Sequence, residues 1–465
     1  GGRAPGMTDV DGVASAEANP VTRRLTDWDR ARLTALANTH GTPLYVQDLD
    51  RVRQNCARMR SAFPDADVRY AVKAHTGRAV LETVREAGFD AECASAGEVD
   101  RALTAGFTGE RVHYTAVNPP ARDLDRVVDI AAEAPAMTIT LGAVDTLDRL
   151  IERGYDGRVC LRVNPGVGAG HHAKVRTGAA PKFGIPYDRA ERVAREAATR
   201  VDVVGIHAHA GSGIDADGLE DHRSLVSRMG SLARSLTAPA TDELAADSAD
   251  DGRIVTDPLA LEYVDVGGGF GVPYRADEPP LDLDAVAEAT RNALGSLPGV
   301  DLAVEPGRYV VADAGVLLTR VNTVKPTASE VVVGVDAGMT DLLRPAMYDA
   351  YHPIRLLGGA TAAPAPADRE STSVTIAGPI CETGDVFCRD RRIERPVRGD
   401  LLAVGITGAY GYEMASQYNS RPRPAEVALA GGDARLVRRR ERHADLTRVE
   451  RDTMADADGE TEGSR

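Results

Sequence analysis

Apolar residues fall along this chain in two textures. Between residues 68 and 308, short β-like runs recur at regular spacing: "VRYAVKA" (68–74), "DAECAS" (90–95), "RVHYTA" (111–116), "MTITLG" (137–142), "RVCLRVNP" (158–165), "DVVGIHAH" (202–209), "EYVDVGGG" (262–269) and "LAVEPGR" (302–308). Between them lie stretches such as "GRAVLETVREAG" and "YDRAERVAREAATR", whose apolar positions repeat at helical spacing. Eight strands separated by crossover segments predict an α/β fold built on a closed parallel (β/α)8 barrel of the TIM type. A doubly wound open sheet competes, but polar residues at nearly every strand's C-terminal end favour a barrel, whose mouth would gather them.

After Arg308 the texture changes. "VVVGVDAG", "STSVTIAG", "DLLAVGITGAYG" and "AEVALAGGDARLV" are β-rich with turn glycines, which predicts a second, β-rich domain of sandwich or barrel type, with "GGD" turning a hairpin. The expected organisation is a flexible extension over 1–20, a barrel over 44–309, a β-rich domain from 21–43 plus 310–450, and a disordered tail over 451–465. Two polar inserts, 237–253 and 358–370, read as solvated loops, and the "GGRAPG" before Met7 is set aside.

Composition narrows the function. The 465 residues are 43% hydrophobic but only 4% aromatic, so small aliphatics are expected to fill the core. A net charge of −15 argues against nucleic acid and anionic membranes as partners. The apolar runs fall well short of the ~18 residues of a membrane span, and no secretory leader is visible. Five cysteines (56, 93, 160, 381 and 388) are odd in number, scattered and without a CxxC, which suits a reducing cytoplasm rather than a disulfide framework or a zinc site.

Four lysines stand among the 55 basic residues, and one, Lys73, ends the first predicted barrel strand. A lone lysine there can simply snorkel its ammonium to the rim. Unlike a guanidinium, it can also lose its proton and condense with an aldehyde. Three loops at successive strand ends favour the second use: "HAGSG" (209–213), "GGGFG" (267–271) and "EPGR" (305–308). Their glycines let backbone N–H groups approach phosphate oxygens, and Ser212 adds a hydroxyl donor. Singly each is a common turn, and "GGGFG" is not GxGxxG because residue 272 is valine. Together, opposite a lysine, they point to an aldehyde carrying a phosphate, which is pyridoxal 5'-phosphate. Glu305 is placed to pair with that cofactor's ring nitrogen, and His209 can stack on the ring. His207 and His209 share a strand face, so a metal pair is the rival reading, although no third ligand of matching spacing is obvious and no metal is expected.

These motifs, together with "YAVKA", "AECASAGEV", "RVNPGV", "VDVGGGFG", "CETGD" and "GAYGYEMASQYN" in their order, resemble the diaminopimelate decarboxylases over roughly residues 40–450. That family belongs to the alanine racemase-like pyridoxal phosphate enzymes with a barrel and a β domain. The resemblance implies that Lys73 carries the cofactor covalently and that His209 stacks on it. It assigns Ser212, Gly267, Gly268, Gly269, Pro306, Gly307 and Arg308 to the phosphate and its surroundings, with Tyr410 nearby. It further implies that Arg308, Arg344, Tyr348, Glu382 and Tyr410 contact substrate and that Cys381 donates a proton. Members are typically head-to-tail homodimers in which "CETGD" reaches the partner's barrel, so each site would be shared.

Diaminopimelate has an amino acid centre at each end; one loses CO2 while the other is held as an ammonium and a carboxylate. "MTDLLRPAMYDAY" offers Arg344 and Tyr348 as a carboxylate clamp, and Glu382 can accept the distal ammonium. Taken alone, Arg344 also reads as a surface arginine and Cys381 as a small buried hydrophobe, while cysteines 56, 93 and 160 read as core. The expected activity is decarboxylation of meso-2,6-diaminopimelate to L-lysine and CO2, the last step of lysine biosynthesis. The alternatives are a decarboxylase of arginine, ornithine or a carboxylated polyamine, and a non-catalytic cofactor carrier; a carrier would need neither "CETGD" nor a second domain.

Overall fold

The computed structural model describes residues 20–167, 182–209, 211, 214, 219–247, 254–328, 330–359 and 365–451. The predicted 1–20 extension and 451–465 tail therefore fall almost wholly outside the described residues. Strand β1 (Leu44–Asp48) comes first and stays out of the barrel. The eight predicted runs then form β2 (Ala66–Ala71), β3 (Asp90–Cys93), β4 (Val112–Tyr114), β5 (Thr138–Leu141) and β6 (Arg158–Asn164), and, after the two-residue β7 (Ile185–Pro186), β8 (Asp202–His207), β9 (Tyr263–Asp265) and β10 (Asp301–Val304). Parallel pairing runs β2–β3–β4–β5–β6–β8–β9–β10 and returns to β2, closing the barrel, with β7 attached to the end of β6.

Alternation along these strands separates two layers. Val68, Tyr70, Ile206, Val264 and Val304 face outward into one large apolar cluster with Val52, Leu81, Leu225 and Val286. Burying each such side chain contributes about 1.5–3 kcal/mol. The lumen is different from the aliphatic filling expected of it. Arg69 bonds Asp265 at 2.9 Å and lies 3.9 Å from the Tyr263 ring. Gly205 makes room for that ring, since a Cβ there would stand 2.5 Å from it. An ion pair capped by a phenol thus floors the barrel below its mouth.

The remaining strands are β11 (Gly315–Pro326), β12 (Val331–Val335), β13 (Ile354–Gly358), β14 (Ser371–Ala377), β15 (Val386–Glu394), β16 (Leu401–Gly405), β17 (Ala425–Ala430) and β18 (Asp433–Arg438). They form a nine-stranded mixed sheet in which β1 lies between β11 and β17. Both faces of this sheet are buried. Tyr45, Leu317, Leu402 and Val404 join one apolar cluster, while Leu44, Val46, Val316, Leu318, Leu401 and Ala403 join another, with Leu33 and Leu36 of the helix Arg30–His40. Asp29 caps that helix through the Ala31 and Arg32 amides. Gly431 and Gly432, with φ of 56° and 89°, turn the predicted hairpin between β17 and β18.

The expected domain boundary at 44 needs correcting. β1 supplies ladder bonds to the second sheet, so the barrel begins with the helix Leu49–Ala62 that follows it. The insert at 237–253 is not all loop either, because Asp242–Asp247 is helical. After β16 the chain returns to the barrel mouth: Gly408 N–H donates to Ala312 C=O and Tyr410 N–H to Ala74 C=O, at 3.1 and 2.8 Å. Buried polar contacts fix this junction, His75 Nε2 lying 2.7 Å from Glu426 and the Thr76 hydroxyl donating to Glu413 at 2.7 Å. Among the described residues no helix is long and apolar enough to cross a membrane.

Candidate active site

β2 ends at Ala71, two residues before Lys73, and Val72–Ala74 forms a single 3-10 turn. Val72 and Ala74 are fully buried, whereas the Lys73 side chain is 41% exposed, so the turn aims the amine into the mouth. Pairing of Ala71 with Glu92 in β3 brings that carboxylate alongside, and Lys73 Nζ donates to Glu92 Oε2 at 2.5 Å. Burial pulls the ammonium's pKa down, but Glu92 and Glu305 more than offset it and hold Lys73 above its ordinary value. The resting amine is protonated, with a carboxylate in place to take the proton.

The glycine loops are stitched to this turn by backbone bonds. Ala71 N–H donates to Pro306 C=O at 3.2 Å, Glu305 N–H to Gly267 C=O at 2.9 Å and Ile214 N–H to Gly269 C=O at 2.7 Å. Gly268 cannot carry a side chain here, because a Cβ would stand 2.1 Å from the Glu305 carbonyl oxygen. Gly269, at φ 105°, holds a conformation open to glycine. Gly307 packs on the Lys73 turn with less crowding, its missing Cβ lying 3.0 Å from Ala71 Cβ and 3.2 Å from Ala74 Cβ. The loops therefore line one wall of the mouth with backbone. His209 Nδ1 accepts the Gly268 N–H at 3.1 Å, which fixes the ring's orientation beside them. Ser212 lies outside the described residues.

Below the loops sits a buried acid. Burial, then Glu92, raises the Glu305 pKa to about 7, against the opposing pull of Lys73, Arg69 and Arg162. His207 Nε2 lies 3.2 Å from Glu305 Oε2, and burial lowers the imidazole pKa to about 4, so the ring is neutral; the Nε2–H tautomer donates to the Glu305 carboxylate. The rival reading of His207 and His209 as a metal pair finds the two imidazoles engaged separately, one beside Glu305 and the other at the Gly268 amide. His207, Asp265 and Glu305 do bring ligand atoms within 4.8 Å of one another. Asp265, however, is already engaged by Arg69 at 2.9 Å and the Gly267 N–H at 2.8 Å.

Across the mouth, Arg308 and Arg344 both donate to the Tyr274 hydroxyl, at 2.7 and 3.1 Å. Arg344 also donates to His352 Nε2 at 2.9 Å, and His352 Nδ1 faces the Gly405 carbonyl at 2.9 Å. Tyr410 lies under Arg308, 4.9 Å from ring centroid to guanidinium, and Tyr348 acts electrostatically on both arginines. Among the described residues no carboxylate pairs with either guanidinium. Buried cations without counter-charge are costly unless a ligand brings one.

Comparison with known proteins fits this site. The model for the pyridoxal-binding domain of pyridoxal-dependent decarboxylases matches residues 49–238 and 252–312. The diaminopimelate decarboxylase of Methanothermobacter thermautotrophicus is 39% identical over 429 residues, which is 89% of this chain and 92% of that one. The Escherichia coli K12 diaminopimelate decarboxylase is 35% identical over 445 residues, 91% and 97% of the two chains. The crystal structure of diaminopimelate decarboxylase from Helicobacter pylori complexed with L-lysine matches with a TM-score of 0.77 and 31% identity, over 90% of this chain and 99% of that one.

The chain belongs to the diaminopimelate decarboxylase family. Among the described residues, the "CETGD" segment makes no hydrogen bond or ion pair with the Lys73 cluster. Cys381 is exposed rather than buried, and among the described residues its sulfur bonds Asn419, at 3.5 Å from Nδ2. Glu382 accepts from the Tyr418 hydroxyl, also at the surface. Asp385 locks the loop's shape by accepting the Ile380 and Met339 amides at 2.7 and 2.6 Å. Cysteines 56, 93 and 160 are buried, as expected. Glu92, Tyr274 and His352 join the site without a motif of their own, although "AECAS" places Glu92 on a strand and "GVPY" and "YHPI" flank recognised motifs.

Proposed function

We propose that this protein decarboxylates meso-2,6-diaminopimelate to L-lysine and CO2 with pyridoxal 5'-phosphate as cofactor. The observation that carries the substrate assignment is the pair of guanidiniums, Arg308 and Arg344, held at the mouth by neutral acceptors with no carboxylate partner among the described residues. A substrate with a carboxylate at its far end supplies the missing charge. Ornithine and arginine do not.

The residues also fit the cofactor. Lys73 would hold its aldehyde carbon, the backbone of the 267–269 and 307–308 loops its phosphate, and Glu305 its ring nitrogen, with His209 covering the ring. When bound, the cofactor supplies the electron sink for the pair left by the departing CO2. The chain's own share is placement and proton handling. Glu92 takes and returns the proton at Lys73 Nζ. His207, in its Nε2–H tautomer, favours the carboxylate form of Glu305, the form that would pair with a protonated ring nitrogen. Arg344, Arg308 and Tyr348 fix the distal carboxylate, so only one of the substrate's two centres reaches Lys73. Cys381 and Glu382 are exposed on the β domain and make no contact with Lys73 in this chain. A second copy docked head to tail would supply both, the thiol protonating the α-carbon and the carboxylate receiving the distal ammonium.

The test is incubation with pyridoxal phosphate and meso-diaminopimelate, with lysine and CO2 both measured, beside arginine, ornithine and a carboxylated polyamine. Faster CO2 release from any of those amines, or none from diaminopimelate in cofactor-loaded protein, would overturn the reading.

A further inference from the structure

Tyr274 and His352 occupy unusual positions for uncharged groups. Each accepts from the buried guanidinium of Arg344, and Tyr274 accepts also from the half-buried Arg308. Arginine is donor-only and the Gly405 carbonyl is acceptor-only, so His352 must carry its proton on Nδ1 and present a bare Nε2 to Arg344. Burial, then Arg344, pushes its pKa down to about 3, which keeps the ring neutral. The Tyr274 and His352 rings pack edge to face at 5.2 Å, so the two acceptors form one rigid unit. A phenolic oxygen has two acceptor positions, and Arg308 and Arg344 take both. Its own O–H can point at neither, and among the described residues it has no acceptor.

We propose that Tyr274 and His352 make the site selective for a second carboxylate, His352 by anchoring Arg344 without neutralising it and Tyr274 by joining both arginines and donating its own O–H to the carboxylate. An aspartate or glutamate in either place would hold the arginines more firmly but spend the charge that the ligand needs. Neutral acceptors give orientation and leave two positive charges for the incoming anion. Tyr274 is also held below its ordinary pKa, because Arg308 and Arg344 more than offset the effect of burial. Ionisation at alkaline pH would therefore place a negative charge where the carboxylate docks. Among the described residues, Arg308, Arg344 and His352 are the charged or titratable groups in contact with it, and Tyr348 and Tyr410 act on the same two arginines.

This inference rests on the substrate reading above, and the test separates the two. L-Lysine retains the distal carboxylate and 1,5-diaminopentane lacks it. In Tyr274→Phe holoenzyme, KM for meso-diaminopimelate and the inhibition constant for L-lysine should both rise roughly ten- to hundred-fold, the effect of losing a hydrogen bond to a charged group. Binding of 1,5-diaminopentane and the cofactor absorption band should stay as in the wild type. His352→Ala should show the same carboxylate-selective loss and decides the matter if Tyr274→Phe does not fold. Equal weakening of L-lysine and 1,5-diaminopentane, or an unchanged L-lysine constant, would overturn the proposal. Wild-type holoenzyme inert toward meso-diaminopimelate would instead overturn the substrate reading.

Discussion

Replacing Glu92 by glutamine should speed capture of the cofactor at neutral pH. Lys73 Nζ stands 2.5 Å from Glu92, and burial, which favours the free amine, is outweighed by Glu92 and then Glu305. A protonated amine cannot attack an aldehyde, so the reactive fraction falls about tenfold for each unit by which the pKa exceeds the pH. Breaking a fully buried pair costs about 3–5 kcal/mol, whereas exposed pairs contribute about 0.2–1 kcal/mol. Glu92 is buried, but the Lys73 side chain is 41% exposed, which places this pair between the limits. A value near 1.4 kcal/mol corresponds to about one pKa unit. Glu92→Gln should therefore raise the condensation rate about tenfold at pH 7 and lower the midpoint of its pH profile by about one unit. Stopped-flow mixing of apoprotein with pyridoxal phosphate, followed by absorbance from pH 7 to 12 so that the range spans a lysine held above its ordinary pKa, measures both. Loss of Glu92 as proton acceptor would lower the rate at every pH without moving the midpoint, so the two effects separate. An unshifted midpoint would refute the assignment of Glu92 as the group that keeps Lys73 charged.

Three further outcomes are expected. Gly268→Ala should weaken cofactor binding roughly five- to hundred-fold in equilibrium dialysis with unchanged far-UV circular dichroism, because its Cβ would meet the Glu305 carbonyl at 2.1 Å and overpacking costs about 1–3 kcal/mol. Burial lowers His113, His207 and His222 to pKa values of about 4. The unfolded chain binds those protons first, at about 6.5, so stability present above that pH is lost as pH falls toward 4. His222→Gln, at a site bonded to Thr290 and away from Lys73, should make this acid loss shallower in urea titrations; a loss of unchanged slope would exclude His222 as a contributor. Finally, Lys73→Ala and Cys381→Ala should each be inactive alone, yet recover up to about a quarter of native activity after dissociation and mixing, since half the dimers then carry one intact shared site. No recovery from mixed, correctly assembled dimers would place Cys381 outside the site.

The barrel was legible because its strands announce themselves locally. Each is a short run whose outward residues, such as Val68, Tyr70 and Val264, must be apolar to meet the helices, and the period shows this without knowledge of the partner strand. β1 was assigned to the wrong unit for the complementary reason: "LYVQD" reads as a strand, but its pairing with β11 and β17 depends on segments some 270 and 380 residues away. The site divides along the same line. Lys73 stood out by its rarity, and the glycine loops by the backbone freedom they need. Glu92, Tyr274 and His352 did not, because what makes each one functional is a partner supplied by another element: the β2–β3 register for Glu92, and the meeting of three separate segments for the arginine pair. Cys381 is the limiting case. Its surroundings within one chain are those of a surface thiol beside Asn419, and only the family resemblance suggests a role. If that role is real, the chemistry around Cys381 is completed by residues of another molecule, so no reading of one chain's contacts could have found it; the mixed-dimer experiment is the measurement that can.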